Sequence, residues 1–300
     1  MPITTSTMVN ALDANLNEAF LATAKKKKTE YDTIFNVGNS DKQSEVDAYW
    51  SGFGAAPAKG EGTAATYDTI QNGPSTTYVN RTYALGYEIT EEAIEDNLHS
   101  PQTFNKLPEA LGNSCMETAE ITSANTFNNG FSTNGYDGVP LFSTAHVNTD
   151  LSTWANRPST DADLSVTSLT AALTAIENYT DERGLKNPTK GVLLVVPPDS
   201  WNVAAELLTS EYKPYTGNNE RNALMEKDLR YFLYHYLTDT DMFAVLAEKE
   251  YHHLKFFWRV KLGALRRGTD FDSTNLKHLA RMRFSVGYTH ARGTYGSRGA

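Results

Sequence analysis

The sequence predicts an α+β fold for a chain of 300 residues, and three observations carry that prediction. From Tyr78 to Ile89, Val79, Tyr83, Leu85, Tyr87 and Ile89 share one parity and Asn80, Thr82, Gly86 and Glu88 the other, which is the two-residue period of a strand. Phe104, Leu107, Leu111, Cys115, Ala119 and Thr122 recur at three and four, the period of a long helix ending near Asn125. Val192 to Val196 is an uninterrupted apolar run, after which Pro197, Pro198, Asp199 and Ser200 break the strand and cap a helix from Trp201 to Leu208.

Composition supports a folded chain with a real core: 40% of residues are hydrophobic and 21% charged. The single cysteine, Cys115, excludes an intramolecular disulfide framework and a multi-cysteine zinc site, and its place on the apolar helix stripe reads as a small buried hydrophobe. No apolar run approaches the roughly 20 residues of a membrane span, and the N-terminus lacks a signal-peptide core, so the expectation is a cytoplasmic start and no membrane. The formal charge is -9, yet residues 255–300 hold ten Lys or Arg against Asp270 and Asp272, leaving -17 for the first 254 residues. A nucleic-acid face is one reading of the basic end. Basic residues interleaved with strand positions favour the other, a basic sheet meeting acidic surface on a second copy of the chain.

The remaining elements follow in order. Val9, Leu12, Leu16 and Phe20 at helical spacing, with Lys25 to Lys28 behind them, predict an amphipathic N-terminal arm. Gly52 to Gly73 contains five glycines, and no large apolar residue lies between Gly54 and Thr66. Such a segment cannot bury itself, and with the strand after it predicts a long hairpin whose tip has no partner within its own subunit. Thr90 caps a short helix beginning with Glu91 and Glu92, and Pro108 is expected to open the regular part of the long helix. Residues 128–163 predict an extended connection, and Leu169, Leu173, Ile176 and Tyr179 a helix ended by Gly184. Beyond a polar loop from Tyr212 to Asn222, strands are expected at Tyr231 to Leu237, Phe243 to Glu248, Leu254 to Leu262 and His278 to Thr289.

The search for chemistry is negative. His252 and His253 are adjacent and would face opposite sides of a strand. His235 with Asp239 and Asp241 fits no familiar zinc spacing, and Ser143 with His146 lacks a Gly-x-Ser-x-Gly elbow. Gly60-Glu61-Gly62 is too short for a phosphate loop. No catalytic, cofactor-binding or metal residues are assigned.

Gly138-Val139-Pro140-Leu141-Phe142-Ser143-Thr144-Ala145-His146 resembles the Gly-x-x-Leu-Phe-x-x-x-His signature of major head proteins in Mu-like tailed phages and prophages. Val195-Val196-Pro197-Pro198 before a helix, then Asn218, Asn219 and Asn222, resembles the middle of the same family. Arg281-x-Arg283-x-Ser285-x-Gly287 and Arg292-Gly293-x-Tyr295-Gly296-Ser297 resemble its end. The resemblance implies the Hong Kong 97-type capsid fold: an N-terminal arm at 1–35, an extended loop region at 36–90 with its hairpin at about 52–80, a peripheral domain at 91–139 and 251–300 containing a spine helix, and a mixed α/β axial domain at 140–250.

The function implied is a structural protein, not an enzyme, that assembles with itself through hexamers and pentamers into the icosahedral head of a virion. The rivals are a tail or baseplate component and a histidine-dependent hydrolase. The resemblance also implies double-stranded DNA enclosed without sequence-specific binding, portal and separate scaffold or protease partners, and assembly in a host bacterial cytoplasm. Family members that crosslink use a loop lysine; Lys59 is the one lysine in this loop, its partner is not identifiable, and no crosslink is predicted. Lys59, Glu61, Tyr67, Arg266 and Arg267, the last two on an expected exposed turn, are the candidate assembly contacts. Gly138, Phe142 and His146 are expected to be architectural, His146 as a partly buried hydrogen-bonding spacer.

Overall fold

A computed structural model describes residues 5–70, 72–90, 92, 101–148, 151–214 and 220–300, and their side chains except those of 5–15, 72, 74 and 101–105. The short helix expected after Thr90, together with Asn218 and Asn219, lies outside these residues, as do the side chains of Val9 and Leu12. The chain opens with helix α1 (Thr5–Lys26), one helical turn α2 (Tyr31–Ile34) and strands β1 (Asn36–Asn39), β2 (Ser44–Trp50), β3 (Asn72–Val79) and β4 (Arg81–Ile89). Helix α3 (Pro101–Asn128) follows, then the two-residue strands β5 (His146–Val147) and β6 (Thr153–Trp154), helix α4 (Val166–Glu177), strand β7 (Gly191–Val196) and helix α5 (Trp201–Thr209). The last part is all strand: β8 (Arg230–Leu233), β9 (Phe243–Ala247), β10 (Leu254–Val260), β11 (Arg266–Thr269), β12 (Leu276–Tyr288) and β13 (Thr294–Ser297).

Strand β12 organises a five-stranded sheet. Along one side it pairs antiparallel with β4, from Leu276 opposite Ile89 to Phe284 opposite Arg81. Along the other side β11 and β10 lie end to end, and β1 pairs in parallel outside β10. Its sequence alternates as a half-covered strand must: Leu276, His278, Ala280, Met282 and Phe284 are buried, while Lys277, Leu279, Arg281 and Arg283 lie on the open face. The buried row packs on Leu111, Cys115 and Ala119 of α3, whose three-and-four spacing makes one stripe.

The second sheet has the order β13-β9-β7-β8. All five residues of β9 are buried because both faces of this sheet are covered. Ala244 and Leu246 enter the same core as α3 and β12, whereas Phe243 and Val245 enter a second core with Leu169, Leu173 and Ile176 of α4 and Ala204 and Leu207 of α5. One four-stranded sheet therefore divides the two cores, and the larger core belongs to both sheets.

Several expectations change on this frame. The strand expected from Tyr78 to Ile89 is two strands: Asn80 interrupts it, its side-chain Nδ2 donating to Ser40 Oγ at 2.8 Å and its Oδ1 accepting from Ser285 Oγ at 3.0 Å. Strand β3 then belongs to the hairpin with β2 and β4 to the large sheet. Helix α3 runs through Pro108 and begins at Pro101. Helix α4 stops at Asn178, and Gly184 instead occupies a left-handed position (φ +78°) in the turn from Asp181 to Leu185. Residues 251–300 divide between sheets, since β13 joins β9.

Candidate assembly surfaces

The hairpin of β2 and β3 has two unlike faces because successive side chains alternate. Its inner face is tied down. Asp47 accepts from Lys255 Nζ and Thr289 Oγ1, the hydroxyls of Tyr78 and Thr289 are 2.7 Å apart, and the Tyr49 ring lies 4.5 Å from that of His290. The Lys255 and Thr289 bonds hold the Asp47 carboxyl below its usual range against the opposing effect of burial, the largest single influence. The outer face carries Val46, Trp50 and Val79, each more than half exposed. Beyond it the chain runs 20 residues without regular structure, presenting Phe53, Tyr67 and Ile70 to solvent, with Tyr67 94% exposed.

At the tip, Lys59 and Glu61 are exposed, the first before and the second within a turn in which Thr63 N and Oγ1 both donate to Gly60 O. Short of the tip, the loop is attached to the body through Arg183. Asp68 accepts from Gly54 N at 2.8 Å and from Arg183 Nη2 at 2.9 Å, joining both limbs of the loop to the turn after α4. The Gly54 N–H, then Arg183 and the Thr69 N–H, lower the Asp68 carboxyl. The tip beyond this clamp makes only its own turn contacts among the described residues.

Behind the hairpin lies a buried polar cluster. Glu182, 2% exposed, accepts from Arg292 Nη1 and from His290 Nε2 at 2.9 Å, while Arg292 N donates to His290 Nδ1 at 3.0 Å and fixes that tautomer. Arg292 Nη2 donates to Asn148 Oδ1 at 2.6 Å, and its guanidinium lies 5.0 Å from the Trp154 ring. Burial lowers the His290 pKa to about 4, keeping the ring neutral.

The open face of the large sheet is the second surface. Arg266 and Arg267 are exposed as expected but stand on edge strand β11, opposite Leu279 and His278, and not on a turn. With Tyr87, Glu88, Lys277 and Leu279 they line a shallow hollow of about 450 Å³. Lys277 is paired with Asp270 at 2.6 Å.

The Gly138 to His146 segment is internal architecture. Gly138 takes φ +79° in a turn closed by Gly135 N donating to Val139 O at 2.8 Å, and Leu141 and Phe142 are fully buried. His146 is completely buried, not partly. Its Nδ1 is 2.5 Å from Asp137 Oδ2, its Nε2 is 3.0 Å from Asn156 Oδ1 and 3.2 Å from Leu141 O, and its ring stacks on Trp154 at 4.6 Å. The His146 ring nitrogens meet Asp137, Asn156 and Leu141 O and not Ser143 Oγ, so the serine and histidine do not form a nucleophile–base pair.

The other histidine groupings also separate. His235 Nδ1 pairs with Glu30 at 2.7 Å while Asp239 faces Arg298, and among the described residues no cluster of His, Cys, Asp and Glu is arranged to hold a metal ion. No helix among them is long and apolar enough to cross a membrane. Sequence reasoning missed Asp47, Asn148, Asn156, Glu182 and Arg183, each of which meets a partner remote in sequence.

An α3 spine under an open sheet, a second sheet with its own core, and an exposed hairpin together make the Hong Kong 97-type capsid fold. A family model described as phage capsid protein matches residues 73–296. The chain belongs to that family and is a structural, non-enzymatic protein of the icosahedral head. It is similar to the capsid of the native GTA particle, at 11% identity and TM-score 0.60 over 93% of this chain and 91% of that one. It is similar also to the capsid of Ralstonia phage GP4 (10%, 0.58, 92% and 92%) and the procapsid of bacteriophage JBD30 (14%, 0.50, 98% and 76%). At these identities the likeness establishes the fold. No curated protein matches the chain in sequence.

Proposed function

We propose that this is the major capsid protein of a Mu-like tailed phage or prophage, assembling with its own copies as hexamers and pentamers into a closed head. The observation that carries this reading is the β2–β3 hairpin: its inner face is fastened by Asp47, Tyr49 and Tyr78, while its outer face and tip, including Lys59, Glu61 and Tyr67, are offered to solvent. An apolar exposed face of this kind is an interaction surface, and the partner of matching chemistry is a second copy. Arg266 and Arg267, exposed on opposite sides of edge strand β11, are the complementary contact, set against the acidic remainder of the chain. In this division 1–35 is the arm, 36–90 the extended loop region, 91–139 with most of 251–300 the peripheral domain, and 140–250 the axial domain, completed by β13.

The resemblance supports the further partners: a separate scaffold or protease, a portal, and enclosed double-stranded DNA held without sequence-specific contacts, with assembly in the host bacterial cytoplasm. Negative-stain imaging of purified protein tests the reading. Closed shells or capsomers support it; rings or tubes would assign the chain to a tail or baseplate, and a compact monomer at assembling concentrations would refute it.

A further inference from the structure

The hairpin of β11 and β12 ends in a turn from Asp270 to Asn275 that is braced by polar bonds and presents one aromatic ring. Asp270 N donates to Asn275 O at 3.0 Å, Ser273 Oγ and Lys277 Nζ both donate to Asp270 Oδ2, and Asn275 Nδ2 donates to Glu88 Oε1 at 2.6 Å, which ties the turn to β4. Thr274 takes φ +56°, a left-handed position that a β-branched residue adopts only under constraint. On this turn Phe271 is 95% exposed, with the exposed Asp272 beside it. A ring on a braced backbone has little conformational freedom left to lose on contact, which is the property of an anchor residue.

The seat for such a ring lies on the same hairpin. Directly opposite residues of neighbouring strands share a face, so the register puts Gly86, Leu279 and Arg266 in one row and Glu88, Lys277 and Gly268 in the next. The glycines add no side chain, and a Cβ at Gly268 would meet nothing within 4 Å, so the hollow of about 450 Å³ opens around Leu279. Arg266 and Arg267 line it, and their charge is opposite to that of Asp272. A ring as exposed as Phe271 is not seated in the hollow of its own chain. The occupant therefore comes from another copy.

We propose that Phe271 and Asp272 of one copy seat in the Leu279 hollow of a second copy, the ring over Gly86, Leu279 and Gly268 and the carboxylate toward Arg266 and Arg267. This contact rests on the reading of the chain as a self-assembling subunit and is separate from the β2–β3 hairpin. Charge selects the occupant: an acidic aromatic tip suits an apolar hollow with a basic rim, whereas a second basic sheet face is repelled by it. Tip and hollow belong to one hairpin, so each copy gives one tip and receives one, and a closed ring of copies leaves none unseated.

Two cysteine variants of the full-length chain, Phe271→Cys and Leu279→Cys, mixed at assembling concentration and oxidised, read the contact directly. A disulfide needs its Cα atoms within about 7 Å, and the native Cys115 is buried. Disulfide-linked heterodimers, identified by a tag on one variant, are expected. Phe271→Ala, at a position too exposed to disturb the fold, is expected to raise the concentration for half-assembly about tenfold or more, as the loss of an aromatic anchor does. Absence of the heterodimer, or wild-type assembly by Phe271→Ala, while the wild type forms shells would overturn this contact and leave the shell reading standing. A wild-type chain that never associates would overturn both.

Discussion

Gly296, near the end of the chain, lies so close to Phe142 that a Cβ at 296 would stand 2.6 Å from the aromatic ring. Two of the motifs that carry the family resemblance, more than 150 residues apart, thus meet in one core, where the Phe142 ring also packs on Phe131 at 4.9 Å and Phe127 at 6.2 Å. Phe142→Ala is expected to cost about 3–5 kcal/mol, as a fully buried ring does. Gly296→Ala is destabilising by overpacking. Because the new methyl group occupies space that the ring leaves, the double variant should be less destabilised than the sum, a coupling readable by urea denaturation. Additivity would mean that the two positions do not share that space.

The tip of the long loop contributes nothing to the core, so removing residues 56–65 should leave the denaturation midpoint nearly unchanged while shells fail to form. Circular dichroism and sedimentation of the same preparation check both halves. Loss of soluble folded protein would contradict the separation of folding from assembly.

Arg183→Ala removes the clamp that Asp68 and Thr69 O make with the body. Since Asp68 is in solvent, global stability should hardly respond. Proteolysis within Phe53 to Ile70 should accelerate, and Asp68→Asn should act in the same way but more weakly, because an amide oxygen still accepts from Gly54 N. Unchanged cleavage in both variants would show that the clamp does not restrain the loop.

Charge reversal of Arg266 and Arg267 to Glu should give folded protein that assembles poorly, and wild-type assembly should weaken with added salt, exposed charges being screened over about 8 to 10 Å at physiological ionic strength. Exposed edge-strand positions tolerate the change; a complementary surface on a neighbouring copy does not. Wild-type shell yield from the double variant would remove β11 from the contact.

Acid should destabilise the fold in a definite window. Burial lowers His252, His253 and His290 each to about 4. For a histidine depressed in the folded state, stability is complete above the unfolded value near 6.5 and drains away as pH falls toward 4. Each contributes on the order of 2–3 kcal/mol when the loss is complete, less than additively, because His253 and His290 lie 6.0 Å apart and repel when charged. Glu120, buried on α3 and raised by that burial to about 7, runs the other way between 7 and 4.5, and one carboxyl cannot offset three imidazoles. A thermal midpoint that does not fall between pH 6.5 and 4.5 would contradict this balance, and His290→Gln should flatten part of the slope.

Much of the fold is legible in sequence because periodicity reports burial: the stripe of α3, the apolar run of β7 and the alternation of β12 each name their buried face. Periodicity does not report which strand is the neighbour. Asn80 keeps the parity of the residues around it, so the change of partner from β2 to β12 leaves no trace in the pattern. Strand β2 escaped because its apolar residues Val46 and Trp50 face solvent, and β13 because four buried residues of Thr-Tyr-Gly-Ser show no alternation. The exposed assembly candidates could be chosen from composition alone. The cluster of Glu182, His290, Arg292 and Asn148 could not, since its members come from the turn after α4, the β12–β13 connection and the end of β5 and meet only in the folded chain.

The central claim is that the β2–β3 hairpin carries the contact between subunits, and a cryo-electron microscopy reconstruction of the assembled particle tests it directly. The account predicts Val46, Trp50, Tyr67 and the Lys59 to Glu61 tip of one subunit buried against a neighbouring copy. A shell in which these residues remain in solvent while subunits meet elsewhere would contradict it.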